Sequence, residues 1–84
     1  MDKLISDLNL LTIYLNSWEE ESRQEFGAKI RRCWKEYPMD ALNELEKNGL
    51  ICQSAKSMIL TKEGTKKAKA YVDIFDKFLE ILKS

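Results

Sequence analysis

The sequence predicts a mainly α fold with one small two-stranded β-hairpin, in the order helix, helix, helix, hairpin, helix. Apolar residues recur with helical spacing over most of the chain, and only residues 50–60 change to short extended runs. A chain of 84 residues with 44% apolar content can bury one small core. We therefore expect residues 1–84 to form a single domain.

The first helix is predicted over residues 4–18. Its apolar side chains recur with steps of four and three residues, which places them on one helix face: Leu4, Leu8, Leu11, Leu15 and Trp18. A second apolar set lies on another face: Leu10, Ile13 and Tyr14. A helix that is apolar over so much of its circumference must be covered on more than one side.

Two further helices are predicted in the middle of the chain. One runs from about Gln24 to Trp34, with apolar residues at helical spacing: Phe26, Ile30, Cys33 and Trp34. The next runs from about Pro38 to Asn48. Proline suits the first turn of a helix, and Gly49, just beyond the end, tolerates the left-handed conformation that closes a helix.

The pattern becomes extended after this helix. The apolar runs LICQ and SMIL flank SAK, a spacing typical of a tight hairpin. Thr61 is then placed as the N-cap of a last helix, which runs from about Lys62 to Lys83. Gly64 stands where a capping box would have Glu, so we expect the helix start to approach the hairpin or the third helix closely.

The charge balance excludes strong overall attraction to nucleic acid or to an anionic membrane, because fourteen basic and fourteen acidic side chains cancel. The sequence lacks a run of about 18 apolar residues that could span a bilayer. The first residues are interrupted by Asp7 and Asn9, unlike a secretory signal. We expect a cytoplasmic protein without a membrane partner.

The chain has two cysteines, Cys33 and Cys52, and no histidine. Free thiols in a reducing compartment are favoured over a disulfide, although the sequence leaves both open. The acidic run at residues 19–21 is interpreted as a solvated helix end rather than an acid/base pair. We therefore expect no enzymatic activity, no metal and no cofactor.

The predicted order of elements is that of a winged helix-turn-helix domain, in which the third helix reads DNA and the hairpin is the wing. LNELEKNGLI followed by LTKEG resembles the corresponding segment of bacterial winged-helix regulators. A closer resemblance is to a family of small uncharacterised bacterial proteins, and it rests on these residues: Arg32, Trp34, Lys35, Asp40, Ala41, Leu42, Gly49, Leu50, Ile51, Ala55, Lys56, Ser57, Leu60, Thr61 and Gly64. It covers about Arg31 to Ala68, differs at Pro38 and Met39, and implies a fold without an established function.

Two functions of different class follow from this reading. The first is a DNA-binding regulator whose partner is double-stranded DNA, with these contact residues: Lys29, Arg31, Arg32, Lys35, Asn43, Lys47, Lys56 and Lys62. Lys66, Lys67 and Lys69 add charge that we interpret as the solvated side of the last helix. The face of the third helix argues against DNA, since Asp40, Asn43, Glu44 and Lys47 together carry one net negative charge.

The second function is a protein-interaction or assembly module with the same fold and no DNA partner. Two adjacent apolar seams on the last helix are more than a four-helix domain of this size needs to bury. We expect a homodimer in which the first and last helices meet through these residues: Leu4, Leu8, Leu11, Tyr71, Ile74, Phe75, Phe78 and Leu82.

Overall fold

The computed structural model describes residues 3–22 and 27–83. Three helices and four strands follow one another in the order α1 (Lys3–Leu15), β1 (Trp18–Glu21), β2 (Lys29–Trp34), α2 (Met39–Lys47), β3 (Ile51–Gln53), β4 (Ser57–Leu60) and α3 (Lys62–Lys83). The strands form one antiparallel sheet with the order β1-β2-β4-β3.

The hydrophobic core lies between one face of this sheet and the helices. In the strand register Cys33 is paired with Met58, and Leu60 is paired with Ile51, so these buried side chains share one face. The helices cover that face with buried residues of their own: Leu10, Ile13, Leu42, Leu45 and Ala68. The opposite face of the sheet carries Trp34, which is exposed.

The predicted fold class is therefore wrong. The chain has a four-stranded antiparallel sheet and the order αββαββα, where a mainly α fold with a two-stranded hairpin was expected. A winged helix-turn-helix needs a helix between residues 24 and 34. Gln24 and Phe26 lie outside the described residues, and Lys29–Trp34 is the strand β2.

Contacts between strands explain why helical spacing misled the prediction here. Trp18 begins β1 and does not extend the first helix, which ends at Leu15. Its ring lies 5.4 Å from that of Trp34, measured between ring centroids. On the same sheet face Arg32 forms an ion pair with Glu20. Such cross-strand pairs stabilise a sheet, and they can outweigh the weak helical preference of a short segment.

The second half of the chain matches the prediction. Helix α2 begins one residue after Pro38, and Gly49 beyond its end has φ +75°, the left-handed conformation expected there. The predicted hairpin is present as β3 and β4. The predicted last helix is α3, whose bounds agree at both ends.

The start of α3 is fixed by Thr61 and Gly64, as predicted. The Thr61 hydroxyl accepts a hydrogen bond from the Gly64 N–H at 3.0 Å and donates one to the Gly49 carbonyl at 2.7 Å. A Cβ added at Gly64 would lie 1.9 Å from the Leu50 carbonyl oxygen. The absence of a side chain therefore allows α3 to begin against the backbone that leads into β3.

None of the described helices combines the length and the apolar composition that crossing a bilayer requires.

Candidate functional site

The last eleven residues of α3, Asp73 to Lys83, are all exposed. Six of them are large apolar side chains that are 47–70% exposed: Ile74, Phe75, Phe78, Leu79, Ile81 and Leu82. These six residues, together with the exposed Leu4, Leu8 and Leu15 of α1, are called the apolar helix surface below. Scattered exposed apolar residues are common, but so many large apolar side chains at the end of one helix usually mark an interaction site.

A groove of about 360 Å³ lies within this surface, between α1 and α3. Its lining is almost entirely apolar: Leu11, Leu15, Val72, Phe75, Asp76 and Leu79. Leu11 forms the floor, since it is only 9% exposed, while Leu15 and Leu79 stand at the open edge. The apolar helix surface therefore contains a groove beside its exposed side chains.

Asp7 holds α1 against α3. Its carboxylate accepts a hydrogen bond from the Tyr71 hydroxyl at 2.6 Å and lies 3.1 Å from Lys67 Nζ. Burial opposes ionisation of Asp7, but the hydrogen bonds from Tyr71 and Lys67 and the charge of Lys67 outweigh it and lower the pKa of Asp7. The same hydrogen bond has the opposite effect on its donor and raises the pKa of Tyr71. These contacts set the spacing of the two helices beside the groove.

A second candidate site is a cleft of about 470 Å³ between the sheet and the start of α3. Its described lining residues include five cationic side chains and one acidic one: Tyr14, Glu19, Lys29, Ile30, Arg31, Leu60, Lys62, Thr65, Lys66 and Lys69. This site is called the cationic cleft below. The four residues from α3 occur at positions i, i+3, i+4 and i+7, so they form one stripe along the helix.

Arg31 is held in the cleft from α1 and the segment that follows it. Its Nε donates to the Ser17 hydroxyl at 2.8 Å, and its Nη2 donates to the Ser17 carbonyl at 3.1 Å. The guanidinium lies over the Tyr14 ring, 4.7 Å from its centroid. These contacts fix the side chain and leave some of its five N–H donors for a ligand.

Comparison with known families adds one result to this geometry. The family model of a domain of unknown function, DUF6429, matches residues 1–77. The chain belongs to the DUF6429 family. No curated protein and no solved structure matches the chain. The expected membership of an uncharacterised family is confirmed, and the range matched to DUF6429 includes the whole sheet and the cationic cleft.

The eight predicted DNA contacts lie in three kinds of place in the DUF6429 domain. Lys29, Arg31 and Lys62 lie together in the cationic cleft. Lys47, at the end of α2, and Lys56, in the β3–β4 turn, are exposed outside it. The remaining three, Arg32, Lys35 and Asn43, are engaged within the domain, so the eight residues do not form one surface.

The three engaged residues have clear partners. Arg32 pairs with Glu20 and donates to the Ser57 hydroxyl at 2.8 Å. Lys35 Nζ donates to the Ser54 carbonyl at 3.0 Å. Asn43 accepts from Gln53 Nε2 at 3.1 Å, which ties α2 to β3. The ion pair and hydrogen bonds of these three side chains stabilise the fold of the DUF6429 domain.

The four lysines in the first half of α3 divide into two roles. Lys67 pairs with Asp7 between the helices, whereas Lys66 and Lys69 line the cleft with Lys62. Their helical spacing is visible in the sequence. The facing residues Lys29 and Arg31 cannot be placed opposite them from the sequence, because helical spacing predicts a helix for the segment that is the strand β2.

Six of the eight predicted dimer residues are exposed on the apolar helix surface: Leu4, Leu8, Ile74, Phe75, Phe78 and Leu82. The other two serve packing between the helices, since Leu11 forms the floor of the groove and Tyr71 binds Asp7. Leu79 and Ile81 join the surface through the same seams that predicted the others.

Proposed function

We propose that the protein is a protein-interaction module whose apolar helix surface binds a second copy of the same chain. The observation that carries this proposal is the group of six large apolar side chains left 47–70% exposed along the last three turns of α3. A monomer would keep this surface in water, which is unfavourable and promotes aggregation.

The area available suits a symmetric dimer. The two phenylalanines, which are about half exposed, leave roughly 200 Å² in water, taking 150–250 Å² for one large aromatic side chain, and four aliphatic side chains that are 48–70% exposed add to this area. A standard interface buries about 800 Å² per partner. The exposed leucines of α1 supply much of the difference, since Leu4 and Leu15 are each 64% exposed.

The surface offers both a groove and exposed side chains to a second copy. In a two-fold dimer each copy presents the same patch to the other, so a ridge on one copy can fill a groove on its partner, and the reverse contact follows by symmetry. The ridge is formed by Phe78, Ile81 and Leu82. The groove is the depression above Leu11 between Leu15 and Leu79.

The polar residues at this end of α3 favour a protein partner over a lipid surface. Between Asp73 and Lys83 they comprise three acids and two lysines: Asp73, Asp76, Lys77, Glu80 and Lys83. Helices that lie on anionic membranes instead carry many Lys and Arg residues on the polar face. A face of mixed sign can accompany an apolar contact between two protein surfaces.

Sedimentation at tens of micromolar tests the proposal, with Phe78→Glu as the disrupting variant and Lys77→Glu as the matched control. Both variants place the same new side chain at an exposed position of the same helix. We expect the wild type and Lys77→Glu to sediment as dimers and Phe78→Glu as a monomer, because a carboxylate cannot be buried unpaired.

Circular dichroism checks that Phe78→Glu stays folded, as expected for a residue that is 54% exposed. A wild-type monomer at this concentration, or a Phe78→Glu variant that remains a dimer, would show that this surface does not bind a second copy.

A further inference from the structure

We infer that the cationic cleft binds a small anion that carries two or more phosphate groups. The inference is independent of the proposed dimer, since none of the described lining residues of the cleft belongs to the apolar helix surface. It rests on the concentration of charge in the cleft, on the two elements that supply that charge, and on the acidic strand that limits what can enter.

The charge in the cleft is unusual for this chain. The whole sequence has equal numbers of basic and acidic side chains, yet the described lining residues comprise five cations and one acid. Lys62 and Lys66 are four residues apart on α3, and Lys69 follows three residues later. Like charges at these spacings destabilise a helix, so the stripe has a cost that a bound anion would remove.

Three of the cations outside the cleft are engaged within the fold. Arg32, Lys35 and Lys67 each have a specific acceptor within the fold. Within residues 3–22 and 27–83, none of the cleft lysines of α3 has an ion-pair partner. Their positive charge is therefore available to a ligand.

The cations converge from two directions. Lys29 and Arg31 come from β2. The three lysines of α3 come from the start of that helix, within the eight residues from Lys62 to Lys69. The positive end of the α3 dipole lies at the same place, because Lys62 is the first residue of the helix. Lys62 and Lys69 are separated by about 10 Å along the helix axis. That distance accommodates two phosphate groups better than one.

Arg31 supplies a fixed donor for this ligand. Its contacts with Ser17 and Tyr14 hold the guanidinium in place before any anion arrives. A guanidinium presents paired N–H groups that match two phosphate oxygens, while the lysines act as mobile point charges. The combination of one fixed guanidinium group and several flexible ammonium groups suits a compact polyanion.

The size and surroundings of the cleft favour a small ligand over duplex DNA. Its volume of about 470 Å³ lies within the range of small-molecule sites. In the β1–β2 register Glu19 is paired with Arg31, and Glu21 is paired with Lys29, so both acids share the sheet face of these cations. An extended row of phosphates would run across these carboxylates, whereas a short ligand can stay between β2 and α3.

The test is a calorimetric titration of the full chain with tripolyphosphate at low ionic strength, with inorganic phosphate in a parallel titration. We expect tripolyphosphate to bind and inorganic phosphate to bind more weakly, because it reaches fewer cations. The double variant Lys66→Ala/Lys69→Ala should weaken tripolyphosphate binding roughly 10- to 100-fold through the lost charge-assisted contacts.

The matched control is Lys47→Ala/Lys56→Ala, which removes the same charge from two exposed lysines outside the cleft. It should change the affinity less than about twofold, since distant surface charges are screened. No heat with tripolyphosphate, or equal losses in the two double variants, would overturn the inference.

Thermal denaturation supplies a second readout in the absence of ligand. Removing Lys66 should raise the Tm of the free protein by about 1–3 °C, because it relieves repulsion along the stripe. The same substitution should reduce the Tm increase that tripolyphosphate causes in the wild type. A lower Tm for free Lys66→Ala would show that the lysine stabilises the fold, contrary to the inference.

Random duplex DNA is titrated in parallel, because it is the alternative anionic partner. Binding of duplex DNA without binding of tripolyphosphate would refute the small-anion inference in favour of a longer polyanion.

Discussion

Substitution of Gly64 by alanine tests the packing of α3 against the segment before β3. In an ordinary exposed helix position this change would stabilise the protein, since alanine has the higher helix propensity by about 1 kcal/mol. Here the new Cβ would lie 1.9 Å from the Leu50 carbonyl oxygen and 2.9 Å from its carbonyl carbon. Both atoms belong to the backbone, so no side-chain rotation can make room.

The expected cost can be worked out from these distances. The helix start must move by about 1.5 Å for the contact to reach ordinary van der Waals distance. The displacement strains the packing by roughly 1–3 kcal/mol and weakens the hydrogen bond from the Thr61 N–H to the Leu50 carbonyl by about 1 kcal/mol. It also disturbs the hydrogen bond from the Thr61 hydroxyl to the Gly49 carbonyl, at a further cost of about 1 kcal/mol. After the gain in propensity, Gly64→Ala should destabilise the fold by about 2–4 kcal/mol.

Urea denaturation followed by circular dichroism measures this difference, and Gly49→Ala is the control. Gly49 also has no side chain, but an added Cβ would meet nothing within 4 Å, and only its φ of +75° opposes the change. Gly49→Ala should therefore cost about 1–2 kcal/mol. A chain of this length has a total stability of about 4–12 kcal/mol, so both effects are measurable. If Gly64→Ala cost less than Gly49→Ala, the close approach to Leu50 would be refuted.

Two further predictions concern the contacts that fix the helices. Thr61→Ala should destabilise the protein by about 1–2 kcal/mol in the same assay, while Thr61→Ser, which keeps the hydroxyl, should cost less than half as much. The lowered pKa of Asp7 stabilises the fold above the ordinary value of 3.8, and this contribution is lost as pH falls through the lower folded value. Stability measured between pH 7 and pH 3 should therefore fall less in Asp7→Asn than in the wild type, and equal pH dependence would contradict the assignment.

The half of the chain from Pro38 onward could be predicted because its signals are local. Pro38, Gly49 and Thr61 each act on the backbone within a few residues, through a fixed φ, a left-handed residue and a side-chain cap. Such preferences hold in almost any tertiary context. The close approach at Gly64 was predicted for the same reason, since a residue without a side chain at a helix start needs a steric explanation.

The β1–β2 pair could not be predicted in the same way, because its stability depends on the register between two strands. Ile30 and Trp34 have helical spacing, and they also fit the alternation of a strand in which Arg32 lies between them on one face. The deciding contacts, Trp18 with Trp34 and Glu20 with Arg32, become visible only after the strands are paired. An acidic run followed by a glycine and a basic run was the available signal, since opposite charges pair across strands.

The sequence predicts the candidate sites only in part, because it shows the spacing along one helix but not the pairing of separate elements. The apolar helix surface lies on one continuous helix, so its seams could be read from spacing alone. The cationic cleft needs β2 opposite α3, whereas the predicted helix over residues 24–34 groups Lys29 and Arg31 with other DNA contacts that lie outside the cleft. The correct sheet brings Lys29 and Arg31 to the lysines of α3, and it places Arg32, Lys35 and Asn43 in contacts within the domain.

The two proposed surfaces use opposite sides and opposite ends of α3. Lys69 and Phe78 are nine residues apart, which corresponds to two and a half turns and therefore to opposite helix faces. Lys66 and Phe75 have the same relation. A dimer formed through the apolar helix surface would thus leave both clefts open, one in each copy, and anion binding should be unchanged in Phe78→Glu. Because one continuous helix contributes to both surfaces, an effect of dimerisation on anion affinity would require α3 to move against the sheet, and the contact between Gly64 and Leu50 resists that movement.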